Sequence, residues 1–443
     1  MDPARRSLLA RAVAGGTALQ VPDLAALVVE PAAARIKHGL DSWSSVDELT
    51  AAIQGRATGG QAPRGLTHLI GQTFELTPGE FAEPASPGSR GPSPVAVIEF
   101  PCTLRALDPS RRPVFRSTSG QRDVIQIHTR RWPAIEGPVV LQDLEIRDNR
   151  AWYDSGEAGV RLKDRFAGRS VRIERCDFVR CQNAVAGGSP GQSLHIIDCR
   201  IVDCGFGTQA HAVYVQPGEL HFQGNLVLHS PGNRVARAHL LKSRALRSQI
   251  LGNRFVMGDC PGSFLIDLPN GGDVELCGNQ LVYGPNSDNS AATMVAYAAE
   301  GPAGDAPGQP PMFHPMREFR LLMCNNTLVS EFPGTTQLLV VDTHQAAAAA
   351  GAQVLSTPDP WVVDDNDCTC AGTGVWLHRD RRRGSSARVM TELLQSNPVG
   401  RMAPSTRTPA PANRGGDRAG MRFTGHNLLG AGAVAHRFTH RGA

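Results

Sequence analysis

Asn225-Leu-Val-Leu228 is one copy of a four-residue pattern that decides the fold of this chain. Each copy begins with a small polar residue and continues with mostly apolar ones. Successive copies recur at nearly constant intervals from Cys176 to Asn279, and the interval before Asn326 is about twice as long. The remaining copies are Asp143-Leu-Glu-Ile146, Cys176-Asp-Phe-Val179, Cys199-Arg-Ile-Val202, Asn253-Arg-Phe-Val256, Asn279-Gln-Leu-Val282 and Asn326-Thr-Leu-Val329.

Further short strands accompany each copy of the pattern. One, such as Leu220-His-Phe222, comes just before the pattern, and another, such as His211-Ala-Val-Tyr-Val215, lies earlier in the repeat. Short strands at this period are typical of a solenoid whose coils stack about 4.8 Å apart. We therefore predict an all-β fold, a single-stranded right-handed parallel β-helix. The recurring asparagine is predicted to form a ladder, because its amide can hydrogen-bond the backbone of the next coil.

The predicted solenoid occupies residues 101–385. It carries one insertion, a Gly/Pro/Asn-rich stretch at 284–316, which accounts for the longer interval before Asn326. Residues 386–443 are predicted to hold three elements. These are a short helix at Ala387–Gln395, a Pro/Arg/Gly-rich linker at 397–420 and a candidate last coil at Phe423–Leu429.

Residues 35–100 are predicted to form an N-terminal cap and the first coil. The cap is a helix at Ser44–Ile53, with Ser44 or Ser45 as N-cap. Within residues 1–34, Arg5-Arg6-Ser7-Leu8-Leu9 resembles a twin-arginine export motif, which implies a periplasmic or extracellular protein. The alternative is an ordinary N-terminal helix or disordered leader on a cytoplasmic protein.

Composition excludes several classes of partner. Only 5% of the 443 residues are aromatic, which suits a narrow core of thin strands, and the formal net charge is +4. No basic run with interleaved aromatic residues occurs, so nucleic-acid binding is not indicated. No apolar stretch is long enough to predict a membrane span, which takes about 18 residues or more. Lysine is rare, and only three of the 45 cationic residues are lysine: Lys37, Lys163 and Lys242.

The ten cysteines follow the repeat. Cys176 and Cys181 are matched one coil later by Cys199 and Cys204. We interpret them as small apolar side chains stacked in a thin core, although metal or redox chemistry is the alternative. No zinc-ligand spacing accompanies them, so no metal site is predicted. Two further cysteines come just before ladder asparagines: Cys277 and Cys324.

Charged residues concentrate in two successive coils, at His239-Leu-Leu-Lys-Ser-Arg-Ala245 and Ile266-Asp-Leu-Pro-Asn-Gly-Gly272. Lys242 and Arg244 point to the same side of a strand. Asp267 follows Lys242 at an interval close to the length of one coil. These three residues are therefore the predicted catalytic centre. The predicted substrate-binding residues are His239, Tyr214, Asn270, Tyr297, Asp342 and His344.

These two segments, with the repeated pattern and Val295-Ala-Tyr-Ala-Ala-Glu-Gly301, resemble a bacterial family of right-handed β-helix repeat proteins. The resemblance covers roughly residues 140–345 and implies a pectate-lyase-like fold without an established activity. A more distant likeness is to β-helix polysaccharide lyases of the alginate and chondroitin type. Lys242-Ser243 is similar to their Lys-Ser step, whereas Asp267 stands where they have arginine.

The first functional hypothesis is β-elimination on an acidic, uronate-containing polysaccharide. Lys242 would be the base, Arg244 would neutralise the uronate carboxylate, and Tyr214 or Tyr297 would return a proton. Asp267 opposes this assignment, because a neighbouring carboxylate favours the protonated lysine.

Two alternatives stay open. In the first, the charged residues form an ion network on a non-catalytic glycan-binding or cell-surface structural module. In the second, Asp267 and Asp342 lie two coils apart, about 9–10 Å, as the paired carboxylates of a glycoside hydrolase. All three hypotheses predict a polysaccharide or oligosaccharide partner. No cofactor is predicted, and calcium stays open without a recognisable loop motif.

Overall fold

We analysed a computed structural model of the 443-residue chain. The predicted leader (1–34), the predicted cap helix Ser44–Ile53, His344 and the candidate coil Phe423–Leu429 lie outside the described residues. The structure describes residues 36–37, 42–43, 71–82, 94–118, 122–127, 137–149, 156–163, 170–206, 210–233, 238–299, 320–342, 361–379 and 387–402.

The strands fall into three sheets of twelve, eleven and eleven strands. Sheet 1 contains β1 Ile36–Lys37, β2 Ser42–Trp43, β3 Thr73–Leu76, β6 Thr103–Ala106, β9 Val139–Gln142, β12 Ser170–Glu174, β15 Ser193–Ile197, β18 Glu219–Gln223, β21 Arg247–Leu251, β24 Asp273–Cys277, β27 Arg320–Cys324 and β30 Trp361–Asp364. Sheet 2 contains β4 Glu80–Ala82, β7 Val114–Arg116, β10 Glu145–Arg147, β13 Asp177–Val179, β16 Arg200–Val202, β19 Leu226–Leu228, β22 Arg254–Val256, β25 Gln280–Tyr283, β28 Thr327–Ser330, β31 Asp367–Cys370 and β34 Val399–Arg401. Sheet 3 contains β5 Ala96–Ile98, β8 Ile125–Ile127, β11 Ala158–Leu162, β14 Asn183–Gly187, β17 Val213–Val215, β20 Leu241–Ser243, β23 Phe264–Leu268, β26 Ala291–Tyr297, β29 Thr335–Asp342, β32 Thr373–Arg379 and β33 Ala387–Val389.

From β3 to β32 the chain visits the three sheets in a constant order, one strand in each per coil. Each strand pairs in parallel with its counterparts in the coils before and after it. Antiparallel pairing occurs only at two edges of the described structure, where β1 pairs with β2 and β3, and β33 pairs with β32. The all-β prediction is confirmed, and three stacks of parallel strands are consistent with a parallel β-helix.

Alternation along each strand builds the core, because successive side chains point to opposite faces. In β18, Leu220 and Phe222 are buried inside the coil while His221 faces outward. The Phe222 ring stacks on that of Phe255 in the next sheet, with 5.8 Å between ring centroids. An apolar column made from every coil therefore runs the length of the solenoid.

The asparagine ladder is confirmed and is longer than the sequence pattern indicates. Asn279 Oδ1 accepts hydrogen bonds from the backbone N–H and the Nδ2 of Asn253, at 2.9 and 3.0 Å. Its own Nδ2 donates to the carbonyl of Ile250 at 2.8 Å and to Asn326 Oδ1 at 3.0 Å. The ladder joins Cys199, Asn225, Asn253, Asn279, Asn326, Asn366 and Asn397 through the same kind of bond.

The predictions for residues 386–443 need correction. Ala387–Val389 is strand β33, and within the described range 387–402 only Thr391–Leu394 is helical, as a single 3-10 turn. Asn397 ends the ladder and β34 pairs with β31, so the start of the predicted 397–420 linker belongs to the solenoid. Hydrogen bonding to the last coil outweighs the local Gly/Pro/Arg composition here, since it satisfies that coil's backbone groups.

The predicted insertion is also too broad. Strand β26 occupies Ala291–Tyr297, inside the predicted 284–316 range, and pairs with β23 and β29 in regular register. Within the described ranges, no helix is long and apolar enough to cross a membrane.

We predict that Asn279→Ala lowers the free energy of unfolding by about 2–4 kcal/mol, because it leaves buried donors and a carbonyl on neighbouring coils unsatisfied. The matched control is Asn289→Ala, at an exposed site in the loop before β26, which should change stability by less than about 0.5 kcal/mol. Urea denaturation followed by circular dichroism compares the two. Equal midpoints for both variants would show that the ladder does not hold the coils together.

Candidate functional site

One row of outward-facing positions crosses sheet 3. In its register Tyr214 is paired with Lys242, and Lys242 is paired with Asp267. The row continues to Ala186 and Arg161 on one side, and to Ala296 on the other. The predicted placement of Lys242 and Asp267 on neighbouring coils is therefore found. We call Arg161, Ala186, Tyr214, Lys242, Asp267 and Ala296 the sheet 3 row.

Lys242 and Asp267 form a buried ion pair. Lys242 Nζ lies 3.1 Å from Asp267 Oδ2, and their side chains are 9% and 2% exposed. His239 Nε2 lies 3.5 Å from the same oxygen. The carboxylate thus faces two basic side chains from the preceding coil. An amine in such contact with a carboxylate is held as the ammonium form and is a poor proton acceptor.

Arg244 is positioned by two neutral groups. Its Nε donates to Tyr214 Oη at 3.0 Å, and its Nη1 donates to Asn270 Oδ1 at 2.7 Å. Asn270 is itself completely buried, just before a turn in which Gly271 and Gly272 have φ of 77° and 98°. These two contacts, from the coils on either side, fix the orientation of the planar guanidinium. The predicted roles of Tyr214 and Asn270 therefore become contacts to Arg244.

A column of stacked rings lies beside the sheet 3 row. His239 is stacked between His211 and Phe264, with 4.6 Å between ring centroids on each side. The edge of the His211 ring contacts the Tyr214 ring at 5.2 Å. Burial, and then the neighbouring basic groups of His239, Lys242 and Arg244, hold the pKa of His211 well below its ordinary value. His211 therefore contributes a neutral ring to the site.

Two predicted site residues lie elsewhere. Tyr297 belongs to β26 but points into the coil, where it is 3% exposed and its hydroxyl donates to the Gly272 carbonyl at 2.7 Å. The register places it one residue past the position that pairs with Asp267, so alternation directs it inward. Asp342 is completely buried and lies two residues beyond Val340, the β29 position that continues the row from Asp267.

A second charged cluster, missed by the sequence prediction, surrounds the start of the sheet 3 row. Asp123, which is 3% exposed, accepts hydrogen bonds from Arg161 Nε at 3.1 Å and from the Ala158 backbone at 2.8 Å. Lys163 Nζ lies 3.4 Å from its other oxygen. Burial, together with the Asp123 carboxylate, raises the pKa of Glu157 to about 7. The rarity of lysine was the one sequence signal that pointed to Lys163.

Comparison with known proteins does not assign the chain to a family. No protein-family model, no curated protein and no solved structure matches the chain. Among the described side chains, no three His, Cys, Asp or Glu residues are grouped so as to hold a metal ion.

The buried neutral His211 predicts acid sensitivity. Since its folded pKa lies below the unfolded value of about 6.5, the unfolded chain takes up the proton first as the pH falls. The free energy of unfolding therefore carries no penalty from His211 above about pH 6.5, and it falls progressively as the pH drops below that value. His211→Asn replaces the histidine with the residue type found at the matching position of the preceding coil, Asn183. We expect this variant to lose less stability than wild type between about pH 7.5 and pH 5.

Chemical denaturation at the two pH values measures this difference. Gln223→Asn is the matched control, because Gln223 is an exposed position of sheet 1 that does not titrate. The control should show the full wild-type loss. If His211→Asn shows it as well, His211 is not the group responsible.

Proposed function

We propose that the outward face of sheet 3 binds an acidic polysaccharide through the sheet 3 row. The observation that carries the proposal is the orientation of Arg244 by the neutral partners Tyr214 and Asn270. A guanidinium fixed in this way is suited to bidentate recognition of a carboxylate, and the entropy of ordering it has been lost during folding. A uronate carboxylate is the simplest ligand group with this chemistry.

The geometry of the row supports an extended ligand. Its positions repeat at the strand spacing, about 4.8 Å, so Arg161 and Lys242 lie about 14 Å apart across three strand intervals. Between them are the small Ala186 and the partly exposed Tyr214 ring, a surface on which a sugar ring can pack. The basic side chains at the two ends of this stretch, each held in place by an aspartate, match the repeated carboxylates of such a polymer.

Binding is favoured over β-elimination by the pairing of Lys242. The 3.1 Å contact with Asp267 keeps the amine protonated, so Lys242 is a ligand cation and not the base. Paired aspartates receive less support still, because Asp342 is completely buried. The sequence resemblance to pectate-lyase-like β-helix proteins, and the likeness of Arg5–Leu9 to an export motif, also support a glycan as the partner. We infer a non-catalytic glycan-binding module.

The proposal predicts tight, salt-sensitive binding of a polyuronate such as polygalacturonate or alginate, and none of a neutral dextran. Arg244→Gln should weaken polyuronate binding at least tenfold, since it removes a charge-assisted hydrogen bond of about 1.5–3 kcal/mol. Isothermal titration calorimetry measures both affinities. Arg254→Gln is the matched control: it removes an exposed cation from sheet 2 and should bind like wild type.

Two results would overturn this assignment. If wild type binds none of the polyuronates, an acidic glycan is not the ligand. If Arg244→Gln binds as tightly as wild type, the binding site does not include Arg244. The same mixtures are monitored for ultraviolet absorbance and for new reducing ends. Absorbance from an unsaturated sugar would establish a lyase, whereas reducing ends without absorbance, lost in Asp267→Asn, would establish a hydrolase.

A further inference from the structure

Two of the ten cysteines differ from the rest. Cys277 and Cys324 are partly exposed, whereas the other eight are buried. They end strands β24 and β27 and are direct partners in the parallel register of sheet 1. Their row, which continues to Leu251 and Asp364, faces outward. The prediction that all the cysteines stack in the core is therefore wrong for this pair.

The backbone holds the two thiols at a separation that permits a covalent bond. Neighbouring parallel strands lie about 4.8 Å apart, within the range of about 4.4–6.8 Å that Cα atoms span across a disulfide. Because the two residues are paired in register on one face of the sheet, their side chains point the same way and lie side by side. Little backbone movement is required to join them.

Buried thiol pairs elsewhere in the solenoid provide an internal comparison. Cys176 and Cys199 also occupy matching positions on neighbouring coils, and so do Cys181 and Cys204, where the Cys181 N–H donates to Cys204 Sγ at 3.4 Å. All four are at most 2% exposed. A dissolved oxidant can reach the Cys277–Cys324 pair but not these.

We propose that Cys277 and Cys324 are a redox-active dithiol that closes to a disulfide between neighbouring coils when it meets a low-molecular-weight disulfide such as oxidised glutathione. The bond would tie β24 to β27 and enclose the chain between them, which includes strands β25 and β26 and the longest interval of the repeat. It would lock that coil without crossing the core.

The reaction proceeds by two exchange steps. The Cys324 thiolate attacks one sulfur of oxidised glutathione, forming a mixed disulfide and releasing one glutathione thiolate. The Cys277 thiol then loses its proton to solvent, and its sulfur attacks Cys324 Sγ, releasing the second glutathione. Two protein thiols are oxidised to one disulfide, and one glutathione disulfide is reduced to two glutathione thiols.

The order of the steps follows from the surroundings of each thiol. The neighbouring Cys277 thiol, and then the Asn325 side chain, lower the pKa of the Cys324 thiol. The Cys324 thiol, together with burial, raises the pKa of Cys277. Because the thiolate is the nucleophile, Cys324 attacks first and Cys277 resolves the mixed disulfide.

Native protein incubated with oxidised glutathione and then analysed by intact-mass and peptide mass spectrometry tests the proposal. Wild type should lose two hydrogen atoms and yield one cross-linked peptide joining Cys277 to Cys324. Cys277→Ser should keep one glutathione on Cys324, because the resolving thiol is absent. Cys324→Ser should react at Cys277 at least about tenfold more slowly.

The buried pairs in the same wild-type sample are the control, and their peptides should stay reduced. The proposal fails if Cys277 and Cys324 stay reduced, or if wild type stops at the glutathione adduct. It also fails if the Cys176–Cys199 and Cys181–Cys204 pairs oxidise equally. Circular dichroism of both serine variants before oxidation confirms that each is folded, so an unreactive variant reports chemistry.

Discussion

The in-register hydrogen bonding of each coil to the next is the constraint on which the rest of this structure depends. A strand that pairs in parallel with its equivalent one coil earlier places each side chain over a fixed partner, at the strand spacing. That constraint brings Asp267 to Lys242 and Cys324 to Cys277, although a whole coil of chain or more separates the members of each pair in sequence. It also aligns the buried asparagines.

The sequence predicts this axial placement well, because the coil length can be counted. Lys242 and Asp267 lie on neighbouring coils as their separation indicates, and the asparagine ladder runs through the predicted positions. Before Asn326 the predicted insertion, 284–316, is drawn too broadly, because it includes strand β26. The two last ladder positions, Asn366 and Asn397, were missed because the pattern around them is not repeated.

Which side of a strand a residue occupies is harder to predict. Tyr297 was assigned to the outer face, but a shift of one residue moves a side chain from one face to the other, and it lies in the core. The opposite error was made for Cys277 and Cys324, which were predicted to lie in the core but are partly exposed on the outer face. The partners of Arg244 also escape prediction, since Tyr214 and Asn270 come from different coils and meet only through their turns and rotamers. Periodicity therefore predicts neighbours, while orientation needs coordinates.

The ladder has a consequence for how such a chain can change. From Asn225 to Asn366 each side-chain oxygen accepts from the coil before it, and each side-chain nitrogen donates to the asparagine of the coil after it. The ladder therefore has a direction and repeats the same contact. Removing one residue from within a strand turns the side chains beyond it to the opposite face, so they no longer match the neighbouring coils. Removing a whole coil, from one ladder asparagine to the next, rejoins two identical contacts and leaves the rest unchanged. The unit in which this protein can lengthen or shorten by duplication and deletion is thus the entire coil.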